Sequence, residues 1–591
     1  MNETLYDSPV RSSTSAETPF TPVRSGSSTE SGRAPSTGVA SPPLRRDLMS
    51  YYKNNDYAMN ISVKEALKSR GDQAQRVITK ELAQMIDKKV WTPIHMSSLS
   101  STEKAGIIRS QMFLKEKYLP TGEFEKLKAR LVAGGNQQDR DLYDDLSSPT
   151  VATSVVMTVF AIAAYENRRT AVVDIGGAFL NATMNTGINV YMRLDSSMSR
   201  MMCEIDAKHA KYLDSKGCIV VRLDKALYGC VESAALWYEN LRGCLQDAGF
   251  VRNECDICVF NREVDGIQCT IAVHVDDLII TSVRGDMIED VCAHVKSRYG
   301  SITRCDGPVL NYLGMVFDMS KPGEVRMTMK GYIEETLVLA GVTGKARNPA
   351  KDGLFETRDT ATLVPETQRV WFHSVVAKLS YLSKRAKPEC LTAMAFLATR
   401  VTRCTSDDLE KLDRVLKYIT DTKEMGVLFR PGRLGICVRV YVDAAYGVHS
   451  DGKSHTGSCV VIGDVGAVHC KSSKQSKVTK SSTEAELIAL SDSANQGLHM
   501  RNFLMSQGYN VGPVIMYQDN TSCMALVERG RSGAERTRHI SIRYFWVRER
   551  VEKGEVVIRH KGTKDMYANV LTKPLQGAQF AHERDCLTGW N

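Results

Sequence analysis

The sequence predicts an α+β multidomain protein, and three observations carry that reading. Apolar residues at helical spacing alternate with short β-rich runs from about residue 60 to about 320, and a mainly helical stretch covers 374–421. A second β-rich start, "GICVRVYVDAAYG" at 435–447, then opens a segment of strands and helices that runs to the C-terminus. With 591 residues, 43% of them hydrophobic and 25% charged, the chain exceeds what one core holds and fits about two to four domains.

Taken in order, residues 1 to about 46 are rich in Ser and Thr, with Pro and Gly and almost no large apolar side chains. Such a segment buries too little surface to offset its ordering entropy and reads as a disordered tail, drawn here to residue 59. Helical spacing begins in "VKEALKSRGDQAQRVITKELAQMIDKKVW" (63–91), and β-rich runs follow at 106–120 and 127–135. In "TAVVDIGGAFLNA" (170–182) an apolar strand delivers Asp174 to a Gly-Gly turn, where a carboxylate can approach a ligand closely. In "IAVHVDDLII" (271–280) two adjacent carboxylates, Asp276 and Asp277, interrupt an apolar, β-branched run. Unpaired buried carboxylates cost several kcal/mol each, so something cationic is expected beside them. A turn at Val275–Asp277 sets both at a hairpin tip facing one or two divalent cations; the alternative is a polar turn facing water. Asp174, Asp276 and Asp277 together would form a three-carboxylate cage for two magnesium ions, the arrangement that clamps the oxygens of phosphoryl transfer.

The formal net charge of +9 and pI of about 8.7 favour polyanionic partners. No apolar run reaches the ~18 residues of a membrane span, and the start, "MNETLYDSPVRSS", lacks the apolar centre of a secretory signal, so a cytosolic or nuclear setting without membrane partners is expected. The sixteen cysteines are scattered through apolar stretches and read as reduced, buried small hydrophobes. The close pair in "CDIC", Cys255 and Cys258, lacks the second pair that a zinc site needs. No repeat occurs at solenoid periods.

A longer set of motifs sharpens this reading: "KARLVAGGNQQ" (128–138), "LDKALYGCVESAALWYENL" (223–241), "DICVF", "HVDDLII", "NYLGM" (311–315) and "VLKYITDTKEMGVLF", then "YVDAAYG", "HTGSCVV", "SSTEAELIAL", "YQDNTSCMAL", "RTRHISIRYFWVRERVEKGEV" and "YANVLTKPL". In content and order they resemble the reverse transcriptase and ribonuclease H portion of copia-type retrotransposon polyproteins, over residues from about 90 to 580. The resemblance implies a right-hand polymerase with fingers, palm and thumb at 60–345, a helical connection at 346–434 and a ribonuclease H-like α/β domain at 435–591. It implies an RNA-directed DNA polymerase with ribonuclease H activity, copying retrotransposon RNA into DNA. The partners are an RNA template, a DNA or RNA primer, an RNA/DNA hybrid and deoxynucleoside triphosphates, and the cofactor is Mg2+ at two ions per site, replaceable by Mn2+. The setting is cytoplasmic, in virus-like particles, with access to the nucleus, and residues 1–60 are expected to be the linker that follows integrase.

Carried over position by position, Asp174, Asp276 and Asp277 match the metal-binding palm carboxylates. Phe179 matches the aromatic that lies under the sugar and excludes a 2′-hydroxyl. Lys128 and Arg130 match the finger residues that hold the triphosphate, a task suited to a point charge and a bidentate fork; a basic edge strand in water is the plainer reading. Tyr228 and Gly229 match the segment lining the nucleotide pocket, although Tyr228 also reads as a core aromatic. Asp443, Glu486 and Asp519 match the ribonuclease H acids, but Thr483 and Glu486 also have capping-box spacing, which leaves helix capping open for Glu486. His560 resembles the histidine that assists proton transfer or product release, or is a lone histidine at a strand end. The sequence departs from the family in two places. His274 stands for the usual aromatic before the Asp pair, and Asn569 stands where the fourth hydrolase acid is expected, as a neutral ligand to the second metal. The rival readings are a degenerate or host-adopted copy that binds nucleic acid without catalysis, and a ribonuclease whose polymerase region only binds hybrid.

Overall fold

A computed structural model describes residues 61–591, apart from 119–123, 144–145, 147, 359, 433–434, 464–465 and 530–540. The tail expected at 1–59 and the "RTRHI" part of one motif, at 536–540, lie outside the described residues.

Four β-sheets organise the described chain. Ser62 opens the first long helix, Val63–Asp87, its hydroxyl accepting from the Glu65 N–H at 3.3 Å. Ala74, Ile78, Leu82 and Met85 recur every three or four positions and are buried, so this face packs on the strand Phe124–Ala133. That strand pairs antiparallel with Ile108–Tyr118 at the margin of a six-stranded sheet. Its Leu127, Ala129, Leu131 and Ala133 point into the core, and the period of two therefore puts Lys128 and Arg130 together on the opposite face.

The second sheet has the order Ile302–Asp306, Arg169–Ile175, Asp277–Ser282, Ile267–His274, Val259–Val264 and Val251–Arg252, every pair antiparallel. Ile271, Ala272, Val273, Leu278, Ile279 and Ile280 are all buried, as a near-continuous apolar run requires when both faces are covered. The helix Gly285–Tyr299 packs on the strands Arg169–Ile175 and Asp277–Ser282.

In the third sheet Val309–Tyr312, Met315–Asp318 and Val325–Thr328 are joined by Val427–Phe429, which pairs Val325 with Phe429. The segment 346–434 holds the expected helices, Glu366–Ser383, Leu391–Ala398 and Ser406–Asp421, yet it is not helical throughout. Its last strand is apolar and buried at every position, so it completes a sheet begun before residue 345 instead of standing apart from it.

The fourth sheet runs Ala467–Lys474, His455–Ile462, Val438–Ala445, Val514–Gln518 and Val556–His560; the first two pairings are antiparallel and the last two parallel. The helix Ser482–Ser506 lies across it. This layer meets the second sheet's layer directly. The helix Thr153–Glu166 packs on Ala467–Lys474, and the Thr158 hydroxyl donates to Met500 Sδ at 3.0 Å. Asn253 Nδ2 donates to Ser506 Oγ at 2.8 Å and Gln268 Nε2 to the Gln507 carbonyl at 3.1 Å. No described helix is long and apolar enough to cross a membrane.

Candidate active sites

The second sheet gathers the first carboxylate set. Asp174, at the end of its strand, is the register partner of Asp277, and their strands are central neighbours. Asp276 sits in the two-residue turn joining Ile267–His274 to Asp277–Ser282, whose closing pair is His274 and Asp277. Val275, the other turn residue, has φ of 60°, a left-handed conformation that a β-branched side chain adopts only under constraint. The constraint is visible in the bonds around it: Trp237 Nε1 donates to the Val275 carbonyl at 2.7 Å, and the Ile175 N–H donates to the Asp276 carbonyl at 3.1 Å. Asp174 is exposed and Asp276 and Asp277 are half-buried. Burial pushes the Asp276 carboxyl up and Asp174 adds to this, while Arg130 and Lys128 act the other way. Asp174 and Asp277 thus meet in register with Asp276 next to them at an accessible hairpin tip, although among the described residues the acids drawn close enough together to share a metal ion are Asp443, Glu486 and Asp519, not these.

Beside this tip, Lys128, Arg130, Tyr228, Gly176 and Gly177 line a cleft of about 450 Å³. That volume falls within the roughly 300–1,000 Å³ of small-molecule sites. The Arg130 guanidinium lies over the Tyr228 ring, 4.4 Å from its centroid, and the Phe179 ring meets Tyr228 edge-on at 4.7 Å. Phe179 sits in the short turn of helix Ala178–Asn181 that follows Gly177, whose φ is 65°. Burial raises the Tyr228 hydroxyl above its ordinary range. Gly229 does something other than line the cleft. Its φ is 93° and a Cβ there would lie 2.2 Å from the Ala133 carbonyl oxygen, so the glycine lets the strand 124–133 approach closely enough for the Ala133 N–H to donate to the Tyr228 carbonyl at 2.7 Å. Sequence reasoning missed Glu81, Gln84 and Lys88, which reach the same cleft from the first long helix. It also missed Trp237; a buried indole N–H announces that it needs a partner but not which one.

The fourth sheet brings together the second set. Asp443 lies on Val438–Ala445, Asp519 directly follows Val514–Gln518, and Glu486 is on the helix crossing them. Their ligand oxygens all lie within 4.8 Å of one another. Asp443 and Glu486 are buried, at 1% and 5% exposure, so like charges converge out of water. Burial, and then Asp443 and Asp519, push Glu486 well above the usual carboxylate range, and a divalent cation fits this donor set by neutralising it. Gln518 orients the group: its Oε1 accepts from the Asp519 and Asn520 N–H groups at 2.8 and 3.0 Å, which turns Nε2 toward Glu486 Oε2 at 3.2 Å. The capping alternative for Glu486 falls away, because Ser481 caps the helix through the Glu484 N–H at 3.2 Å, and Glu484 accepts from the Lys480 N–H at 2.7 Å.

Asn569 is where the structure departs from expectation. It is fully buried, but its oxygen is not turned to an open metal position. Oδ1 accepts from Lys573 Nζ at 2.8 Å, and Nδ2 donates to the Thr563 carbonyl at 2.6 Å and to Glu583 Oε1 at 3.2 Å. The same Lys573 ammonium lies 3.1 Å from both oxygens of Asp443, and Thr572 Oγ1 also donates to Asp443 Oδ2. Lys573 and Glu583 were not singled out from sequence; the four-residue step from Asn569 to Lys573 was the one available signal. Burial pushes Glu583 up to about 7, against bonds from Asn569, Gln579 and the Val570 N–H. His560 ends the strand Val556–His560 opposite Gln518 and is exposed at the rim, one position from Asp519 in register.

Residues 98–350 match the family described as reverse transcriptase (RNA-dependent DNA polymerase). The chain is similar to retrovirus-related Pol polyproteins from transposon RE2 of Arabidopsis thaliana, at 24% identity over 91% of this chain and 35% of that protein, and from transposon RE1 of the same plant, at 26% over 80% and 31%. It is also similar to that from transposon TNT 1-94 of Nicotiana tabacum, at 23% over 77% and 33%, so the chain spans about a third of the length of these relatives. Among solved structures, a foamy viral protease-reverse transcriptase in complex with RNA/DNA hybrid aligns with 90% of this chain and 64% of its own, at 10% identity and a TM-score of 0.41. Residues 98–350 thus carry a reverse transcriptase-family domain, in a chain that is similar to retrotransposon Pol polyproteins over about a third of their length.

Proposed function

We propose that this chain is an RNA-directed DNA polymerase joined to a ribonuclease H, with fingers, palm and thumb within 60–345, a connection at 346–434 and the hydrolase at 435–591. The observation that carries the reading is the meeting of Asp174 and Asp277 in register, with Asp276 at the turn, beside a cleft bearing Lys128 and Arg130. Asp174, Asp276 and Asp277 would hold two Mg2+, or Mn2+ in its place, and Asp443, Glu486 and Asp519 would hold divalent metal at the hydrolase. When bound, these ions supply the electrostatic clamp on the attacking and leaving oxygens of phosphoryl transfer.

The chain's own residues do the rest. Arg130 presents a fork and Lys128 a point charge to the triphosphate of an incoming deoxynucleotide. Phe179, braced edge-on by Tyr228, sets a wall against a 2′-hydroxyl. Trp237 holds the strained turn so that Asp276 keeps its position through the cycle. At the hydrolase, Gln518 fixes Glu486, and His560 at the rim is placed to move a proton at the leaving oxygen. Template and primer are held mainly through phosphate contacts, with base pairing supplying sequence. The setting proposed is cytoplasmic and particle-associated.

Primer extension on an RNA template tests the reading. The native protein should extend the primer, and Asp276→Asn should lower extension at least about 100-fold, on the scale of losing one preorganised electrostatic contact. A folded native protein that binds hybrid yet never extends a primer would support the non-catalytic alternative.

A further inference from the structure

We propose that the Lys573 ammonium is a built-in cation occupying the place of the second ion of a four-acid site, so that the hydrolase centre takes one divalent ion rather than two. This rests on the reading of Asp443, Glu486 and Asp519 as a hydrolytic metal centre. It differs from what a four-acid site would do.

At the fourth position, where that site needs a charged oxygen, this chain has Asn569, a neutral amide whose oxygen accepts from Lys573 at 2.8 Å. The same ammonium is 3.1 Å from each Asp443 oxygen, so it bridges the two residues that would flank a second ion. Thr572 donates to Asp443 as well, which uses a further lone pair on that side. A hard divalent ion favours charged oxygens in a close shell, and here it would have to displace a hydrogen-bonded ammonium for one shared carboxylate and one amide. Losing one negative charge and gaining one positive charge both act against it. Asp443, Glu486 and Asp519 each offer one oxygen within 4.8 Å of the others, a donor set that fits a single ion.

Lys573 is therefore a positioning residue: it holds Asp443 in place and balances its charge without touching substrate. Asn569 suits the arrangement because an amide oxygen accepts from the ammonium while its Nδ2 donates at 2.6 Å to the Thr563 carbonyl, a bond that a carboxylate could not make.

Counting ions tests this directly. The full chain, carrying Asp174→Asn, Asp276→Asn and Asp277→Asn to silence the palm, is bound to a non-cleavable 2′-O-methyl RNA/DNA hybrid and titrated with Mn2+. Electron paramagnetic resonance then counts ions bound in excess of the same protein with Asp443→Asn and Glu486→Gln added. We expect one, with the spectrum of an isolated ion. The double variant Asn569→Asp/Lys573→Met should bind two and give the spectrum of an exchange-coupled pair. If that variant does not fold, the count with Lys573 present decides alone. Two coupled ions there would overturn the role of Lys573 while leaving the metal-centre reading intact, as would a folded double variant that still binds one. No ion at all would overturn both.

Discussion

The two carboxylate centres solve the same electrostatic problem in opposite ways. In the second sheet, Asp174 and Asp277 meet in one strand register with Asp276 at the adjoining tight turn, all three stay partly open to water, and the charges of Arg130 and Lys128 act on Asp276. In the C-terminal layer, Asp443, Glu486 and Asp519 come from two strands and a helix, two of them are buried, and a lysine from a later segment balances Asp443. The first set leaves much of its charge to solvent. The C-terminal set has Asp443 and Glu486 out of water and carries an internal cation, which ties it more tightly to the fold.

The difference can be broken or sharpened by substitutions that touch one region. Among residues that carry no metal-site carboxylate, the largest effect is expected at Phe179, whose ring meets Tyr228 edge-on at 4.7 Å. Phe179→Val should raise ribonucleotide relative to deoxynucleotide incorporation by about 100-fold, the scale on which a shaped wall discriminates a hydroxyl, with hybrid cleavage unchanged. Unaltered discrimination in a variant that still polymerises would remove Phe179 from this role.

A smaller effect is expected at Trp237. Trp237→Phe keeps most of the buried ring but removes the N–H that holds the Val275 carbonyl at 2.7 Å. Loosening the strained turn should slow extension by about tenfold while the hydrogen bond itself accounts for only about 1 kcal/mol of stability. Loss of extension and cleavage in equal measure would show a general folding defect and not a local one.

Acid should separate the regions next. His449 and His455 are buried in the C-terminal layer, where His449 Nε2 and His455 Nδ1 share a hydrogen bond at 3.0 Å and His455 Nε2 meets Ser472 Oγ at 2.8 Å. Burial pushes His449 down to about 4 and His455 down to about 3, so both stay neutral in the folded protein near neutrality. The unfolded chain takes up these protons as pH falls below about 6.5 and the folded chain does not. The stability they contribute is thus present above that pH and is lost as pH drops toward 4. The melting temperature should fall between pH 7 and pH 4.5, and His455→Gln should make that fall smaller by a few degrees. An identical slope in the variant would mean that other groups carry the acid sensitivity.

How much of this was legible in the sequence follows from distance along the chain. The pairing of Asp276 with Asp277 is local, and Asp174 sits in an apolar strand ended by glycines, so the nearness of these three along one sheet could be read from pattern alone. The C-terminal acids were read through ordered motifs, and their geometry bears out the grouping of Asp443, Glu486 and Asp519. The Lys573 bridge was not legible, because 130 residues separate it from Asp443 and no periodicity marks such a contact. Nor was the joining of Val427–Phe429 to a sheet begun at Val309, since a three-residue apolar run carries no information about its partner. Gly229 was placed in the cleft by motif, whereas its conformation and the nearby Ala133 carbonyl make it a packing residue.

The central claim is that two independent catalytic centres share one chain. It is tested most directly by assaying Asp276→Asn and Asp443→Asn on the same RNA/DNA primer-template, for primer extension and for cleavage of the RNA strand. The account predicts reciprocal loss: Asp276→Asn cleaves without extending, and Asp443→Asn extends without cleaving. Joint loss of both activities in either folded variant, or survival of either activity in both variants, would contradict it.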